Sequence, residues 1–305
     1  MINISNSNFP NRYCLHGFSI TFVCMTLQQW WLDARKQLTG IYEEREASNL
    51  IQWLLEDTLK LNKVTYQLRL PKPLADNEQL LLNTQLARLV KGEPLQYVTE
   101  VAHFYGHQFR VGPEVLIPRP ETEELVALVL QSVPKDAKIA VLDVGTGSGC
   151  IPISIKHARR NWTVNAIDVS GAALAVAKWN ATELGTQIGF AQHDFLDEST
   201  WPQLVQPHVL ISNPPYIAQD EKTQMTNQVL LHEPGIALFP EGNDVLIFYK
   251  KLAAYAGKHK PKHVFLELNP SYASETGQLF LSVEYQIAIV QDMQGKDRML
   301  HATLM

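Results

Sequence analysis

Cysteine is nearly missing from this sequence. Cys14, Cys24 and Cys150 are all there is, with no Cys-X-X-Cys pair. That excludes a disulfide framework and fits a reducing compartment. A basic surplus is missing too: 26 Lys and Arg face 31 Asp and Glu, a formal charge of −5. A protein that grips bare nucleic acid mainly through its phosphates carries the opposite balance, although a small basic patch stays open. No apolar run reaches the roughly 18–20 residues that a membrane span needs. Gly and Pro are not in excess, at 16 and 17 positions, so collagen and low-complexity chains are excluded. What remains is an ordinary globular composition, 46% hydrophobic over 305 residues, enough for one large domain or two modest ones.

Acids are absent from residues 1–24, which hold a single arginine, Arg12. The apolar stretch from Phe18 to Met25 is short and lacks a clear small-residue cleavage site, so a secretory signal is not expected. An organelle transit peptide would carry more arginine. The expectation for residues 1–25 is a disordered tail, or a start placed too early with Met25 the true first residue.

Patterned sequence begins immediately afterwards. Ala47, Leu50, Ile51, Leu54 and Leu55 form one helical stripe. Asp76 followed by Gln79 reads as a capping box opening a helix that buries Leu82, Leu86, Leu89 and Val90. Residues 26–97 are therefore expected to form a small helical domain without catalytic spacing, suited to packing or partner docking. Residues 98–118 alternate and suggest a hairpin linker turning near Gly106–Gln108. Pro118-Arg119-Pro120 then leads into Glu121, Glu123 and Glu124, a composition suited to a helix N-terminus. From Lys138 onward, buried runs alternate with helical segments, which indicates a parallel α/β sheet over the domain 119–305. Tyr285–Gln291 and Arg298–Leu304 read as a closing antiparallel hairpin on the sheet edge.

The first strand of that sheet runs into Asp143-Val144-Gly145-Thr146-Gly147-Ser148-Gly149. Such glycines let a ligand approach the backbone, and the helix that follows offers free N–H groups. A nicotinamide fingerprint needs Gly-X-Gly-X-X-Gly, and here Cys150 stands in the last place, which disfavours an oxidoreductase. Asp168 closes the second strand, where a carboxylate can accept two ribose hydroxyls. Loop and acid together imply an adenosine-containing cofactor. The alternative is a tight turn with a solvent-exposed Asp168. Cys150 lies near a helix N-terminus, where a thiol pKa can fall, but no histidine or second cysteine supports a nucleophile. It reads as a small packing residue.

Asn213-Pro214-Pro215-Tyr216 follows another strand, where open α/β sheets bind ligands. Its composition suits a planar NH2 group, whose lone pair is delocalised and must be aimed to react. The Asn213 side-chain carbonyl and the Pro214 backbone carbonyl can accept its two N–H bonds. Pro215 stiffens the turn. Tyr216 offers a ring face. Glutamine amides and adenine N6 both satisfy this chemistry, the latter needing base flipping in a duplex.

Together these two motifs resemble the class I S-adenosylmethionine-dependent methyltransferases that act on planar nitrogen. Gly92–Tyr97, Phe104-Tyr105-Gly106, Leu116–Glu123 and Glu233–Leu238 narrow the resemblance to the release factor glutamine N5-methyltransferases, over about residues 26–305. That resemblance implies a seven-stranded, mostly parallel sheet with helices on both faces, a Rossmann-like methyltransferase fold, beside a small N-terminal helical domain and a β-hairpin. It implies S-adenosyl-L-methionine as cofactor, held by Gly145, Thr146, Gly147, Ser148, Gly149 and Asp168, with Phe195 near the adenine and Asn213 between cofactor and substrate. It assigns Asn213, Pro214, Pro215 and Tyr216 to the substrate glutamine, with Asn213, Pro214 and Tyr216 catalytic. The implied substrate is the glutamine of the Gly-Gly-Gln motif in class 1 peptide chain release factors, methylated in the cytoplasm by a monomer that holds no nucleic acid stably. A ribosomal protein glutamine and adenine N6 are the alternatives. Residues 1–24 have no counterpart in the family, and Val245 stands where the family often has glycine.

Three further features stay open. Glu233 either orders the Asn213–Tyr216 loop or closes a surface loop. Arg119 orients substrate backbone or pairs with acids nearby. His259 and His263 flank Pro261 without the spacing of a helical metal pair. Among them Lys258, Lys260 and Lys262 make a basic turn.

Overall fold

The computed structural model describes residues 25–136, 138–240, 242 and 244–305. Expectations for the first 24 residues, Cys14 and Cys24 included, lie outside the described residues. Two compact units are present, divided at Asn83/Thr84, so residues 84–97 belong with the second.

The first unit is helical: α1 (Leu27–Leu38), α2 (Glu44–Leu59), α3 (Lys63–Arg69) and the first half of α4 (Asp76–Val90). Thr26 opens α1 with a capping box, its hydroxyl taking the Gln29 N–H and the Gln29 side chain taking the Thr26 N–H. The stripe Ala47, Leu50, Ile51, Leu54 and Leu55 is buried along α2 as its spacing predicts. The box expected from Asp76 and Gln79 does not form. Asp76 is already inside the helix, and Glu78 reaches back instead to accept the Ala75 N–H at 2.9 Å.

In the second unit α4 ends, α5 (Leu95–Thr99) follows, and β1 (Val101–Phe104) pairs with β2 (His107–Arg110). The turn is Tyr105–Gly106, both at positive φ, so Gln108 sits in the strand opposite His103 and not in the turn. Asn180 fastens this hairpin: its amide bonds the Arg110 backbone in both directions and also donates to the Ser148 carbonyl.

The remaining elements are α6 (Pro120–Ser132), β3 (Ala140–Val144), α7 (Cys150–Ala158), β4 (Thr163–Asp168), α8 (Gly171–Glu183), β5 (Gly189–Gln192) and β6 (Val209–Ser212). After them come α9 (Asn227–His232), α10 (Gly235–Leu238), α11 (Ile247–His259), β7 (His263–Glu267), α12 (Ala273–Leu281), β8 (Tyr285–Gln291) and β9 (Asp297–Leu304). The seven strands order as β5-β4-β3-β6-β7-β9-β8. The first five pair in parallel and β9 runs antiparallel to both its neighbours. The terminal hairpin is therefore at the edge as expected, but with its second strand inward: β9 pairs with β7 and leaves β8 outermost.

Strand alternation builds a core on each face. Leu142, Leu210, Val264, Leu266 and Leu300 pack against α11 and α12 through Tyr249, Leu252 and Phe280. Val141, Val209, Ile211 and Phe265 pack against α6 and α7 through Leu125, Val129 and Ile153. Burying each such side chain contributes roughly 1.5–3 kcal/mol. The sheet is thereby held rigid, and the loops after β3, β4, β6 and β7 gather at its carboxyl ends.

Candidate functional site

The chain passes from β3 outward to β4 and β5, then returns to β6 on the other side of β3. A crevice opens where that order reverses. The glycine loop leaves β3 on one side of it and Asn213–Tyr216 leaves β6 on the other. Ser212 ties the two strand ends together, donating to the Val144 carbonyl at 2.7 Å.

Gly145, Gly147 and Gly149 all have positive φ, at 75°, 55° and 80°, a region that costs other residues. Their surroundings differ. A Cβ on Gly149 would lie 3.1 Å from both Ala177 Cβ and Ile153 Cδ1, so this glycine lets α7 and α8 approach. A Cβ on Gly145 or Gly147 meets nothing within 4 Å. The loop is thus pinned from behind and open in front. Gly145 and Thr146 donate their N–H groups to the Ile167 carbonyl. Gly147 donates to Asp168 Oδ2 at 2.9 Å, while Asp168 Oδ1 accepts from the Ser170 N–H. Burial raises the Asp168 pKa, and these backbone bonds oppose the rise. A carboxylate has lone pairs to spare beyond two such bonds.

The loop, Asp168, Phe195 and Asn213 line a cavity of about 990 Å³, its open mouth included. Phe195 is mostly core, its ring 5.6 Å from Trp201 and 5.4 Å from Tyr255, and it also forms part of the cavity wall. Beneath the loop Asp143 is fully buried and accepts no well-formed hydrogen bond among the described residues. Burial pushes its carboxyl up to about 7. Cys150 is buried as well. Its thiol is pushed up to about 12, against the fall a helix N-terminus alone would bring, so packing is its role.

A second cavity, about 470 Å³, adjoins the first. Asn213 and Arg119 line both, and Pro214, Tyr216, Met225 and Leu238 line the second alone. Asn213 Nδ2 donates to Thr122 Oγ1 at 3.1 Å. Neither Asn213 Oδ1 nor the Pro214 carbonyl has a protein donor among the described residues. Tyr216 is partly buried, and its hydroxyl donates to Glu267 Oε1 at 2.9 Å. Burial and the Glu267 charge raise its pKa far above that of a free phenol, so it stays neutral.

The glycine loop and Asn213–Tyr216 come together at one crevice, but sequence reasoning missed what supports them. Asn269 donates to the Tyr216 carbonyl and to Glu221 Oε1. Glu267 and Thr122 carried a faint signal, an acid closing an apolar strand and a hydroxyl in the first turn of α6. Arg119 pairs with an acid, but the partner is the distant Glu233, at 2.6 Å. Glu233 is buried, and its second oxygen takes the Ile117 N–H, so it ties its own segment to the stretch that leads into α6. The basic turn is largely spoken for: Lys260 pairs with Glu284, Lys262 donates to the Leu304 carbonyl, and Lys258 lies 5.9 Å from the Trp201 ring centre.

Comparison with known proteins decides what this crevice belongs to. The methyltransferase small domain model matches residues 123–261, and the PrmC N-terminal domain model matches residues 29–99. A release factor glutamine methyltransferase of Lactococcus lactis is 36% identical over 274 residues, covering 88% of this chain and 98% of that protein. The chain belongs to the release factor glutamine methyltransferase family. A relative of the same name from Bacteroides thetaiotaomicron is also 36% identical, over 88% of this chain and 96% of its own. Among solved structures, the hMettl16 catalytic domain bound to an RNA hairpin has a TM-score of 0.51 at 16% identity. It covers 75% of this chain and 82% of that one, and shows the shared fold alone.

Members of this family are S-adenosylmethionine-dependent methyltransferases, and the larger cavity fits such a cofactor. Two glycines hold open the space in front of the loop, a strand-end carboxylate stands beside it, and the first N–H groups of α7 lack intrahelical acceptors.

Proposed function

We propose that this enzyme methylates the side-chain amide nitrogen, N5, of the glutamine in the Gly-Gly-Gln motif of class 1 release factors. The observation that carries the proposal is the wall between the two cavities. There the Asn213 Oδ1 and the Pro214 carbonyl stand without donors, where a primary amide would bring two N–H groups.

Gly145–Gly149 and Asp168 would hold the cofactor, with Phe195 along its wall. S-adenosylmethionine, when bound, supplies a methyl group made electrophilic by its sulfonium charge. The protein's part is positioning. Asn213 Oδ1 and the Pro214 carbonyl take the two amide N–H bonds and leave the nitrogen's π-face toward the larger cavity. Tyr216 walls the amide with its ring, and Pro215 keeps the turn from yielding. No strong base is needed, because the nitrogen becomes acidic as positive charge develops and its surplus proton leaves along an acceptor already in place.

In this reading residues 26–97 serve to dock the release factor, although 84–97 pack with the second unit, 98–118 are the hairpin linker, and 119–305 the catalytic domain. The protein acts as a monomer in the cytoplasm and holds no nucleic acid stably. No helix among the described residues is long and apolar enough to cross a membrane.

The test uses methyl-labelled S-adenosylmethionine, unmodified class 1 release factor and mass spectrometry. A gain of one methyl on the motif glutamine, absent when that residue is alanine, supports the assignment. No gain, in enzyme that still binds cofactor, overturns it and points to ribosomal proteins or adenine.

A further inference from the structure

The amide of Asn213 is useful only one way round. If its NH2 faced the smaller cavity, it would repel a glutamine NH2 instead of accepting from it. The side chain's shape does not decide this, since carbonyl and NH2 are nearly the same size. The decision comes from behind.

Thr122 Oγ1 lies 2.6 Å from Glu267 Oε2, and Tyr216 donates to Glu267 Oε1 at 2.9 Å. An ionised carboxylate can only accept. The proton between Thr122 and Glu267 must therefore come from Thr122. With its one hydrogen committed, Thr122 Oγ1 has only lone pairs to offer Asn213, and the Asn213 side chain must turn its NH2 toward it at 3.1 Å. The carbonyl Oδ1 is then left facing the cavities. Glu267 and Thr122 are 1% and 2% exposed, so no bulk water relaxes this ordering. Burial raises the Glu267 pKa, while the two hydroxyl donors and the nearby Arg298 guanidinium, itself held by Asp292 and the Leu268 carbonyl, oppose that rise and stabilise the carboxylate that accepts from both hydroxyls.

We propose that Thr122 and Glu267 are positioning residues that set the polarity of the Asn213 amide, through a one-way chain of donors running from Asn213 to Thr122 to Glu267. This rests on the reading of Asn213 as the acceptor for the substrate amide. The same carboxylate anchors Tyr216, so one buried acid at the end of β7 holds both ends of the Asn213–Tyr216 turn. Neither residue touches substrate in this scheme, and both act through Asn213.

Thr122→Val keeps the shape and removes the chain, whereas Thr122→Ser keeps the hydroxyl. The expected result is a fall in kcat of roughly 10- to 100-fold for Thr122→Val, with cofactor Kd unchanged and the melting temperature lowered by only a few degrees for the lost buried hydrogen bonds, and recovery to within a few-fold for Thr122→Ser. Glu267→Gln, which can donate as well as accept, should fall similarly. In an Asn213→Ala background Thr122→Val should cost nothing more. Full activity of Thr122→Val, no recovery in Thr122→Ser, or additive losses in the double variant would overturn the proposal. A second readout needs no substrate. In 15N-labelled protein one side-chain NH of Asn213 should be protected from exchange, and the protection should vanish in Thr122→Val and persist in Thr122→Ser. Absence of that protection in the unaltered protein defeats the chain itself. Its presence in a protein that methylates no glutamine defeats only the substrate reading.

Discussion

Asn213 has its acceptor, Oδ1, without a protein donor among the described residues, while one of its Nδ2 hydrogens is engaged by Thr122. Asn213→Ala should lower kcat by roughly 10²–10³-fold, the cost of losing one preorganised polar contact in a transition state. Calorimetric titration should find the cofactor Kd changed far less, and a collapse of cofactor binding would instead place this residue's main role in the larger cavity. Asp143 supports a different prediction. Its folded pKa of about 7 lies above the carboxyl value of about 3.9 in an unfolded chain. The native state therefore binds the proton more tightly. Its contribution is whole below pH 4 and is lost as pH rises toward and through 7, by about 4 kcal/mol at most. Cofactor-free Asp143→Asn should lose that slope and melt at a higher temperature than the unaltered protein at pH 8. A parallel fall in both proteins would show that another group carries the slope.

Among elements, the turn from β3 into α7 separates two uses of glycine. Gly149 lets helices touch, with Ala177 and Ile153 each 3.1 Å from a would-be Cβ, whereas Gly147 faces open space. Gly149→Ala should destabilise the fold by roughly 2–4 kcal/mol, from crowding added to an unfavourable positive φ. Gly147→Ala should cost about 1 kcal/mol from φ alone, yet weaken cofactor binding at least tenfold by filling the cradle. Denaturant melts and cofactor titration of the two variants distinguish these effects, and equal affinity losses would show that the loop acts as one unit. Element type was legible in the sequence because buried parallel strands read as apolar runs and amphipathic helices keep their spacing. Cap and turn details were not. Asp76 looks like a cap, but the helix already includes it. The hairpin turn lies one step earlier than Gly106–Gln108 because Tyr105 accepts a positive φ beside Gly106.

For the whole molecule, charge is the feature that composition settles. With 31 acids against 26 bases, and the lysines of the one basic turn engaged by Glu284, the Leu304 carbonyl and the Trp201 ring, nonspecific hold on nucleic acid should be weak. Gel shift with RNA or duplex DNA at 100 mM salt should show no stable complex, and methylation of release factor should vary little with salt. A steep loss between roughly 50 and 200 mM salt would mean phosphate contacts and revive an RNA or DNA substrate.

The amino-acid sequence by itself determined the family, the parallel sheet, the glycine loop with its strand-end Asp168, and the Asn213–Tyr216 turn. These are local: each depends on residue types within a few positions and on the period of a single element. The tertiary structure alone decided the rest. Thr122 and Glu267 stand 145 positions apart, Arg119 and Glu233 114. No short-range pattern pairs them, because only the return of the chain across the sheet brings α6, β6 and β7 to one crevice. The polarity of the Asn213 amide belongs to that same class, set by a hydrogen-bond order that exists only once those elements are packed.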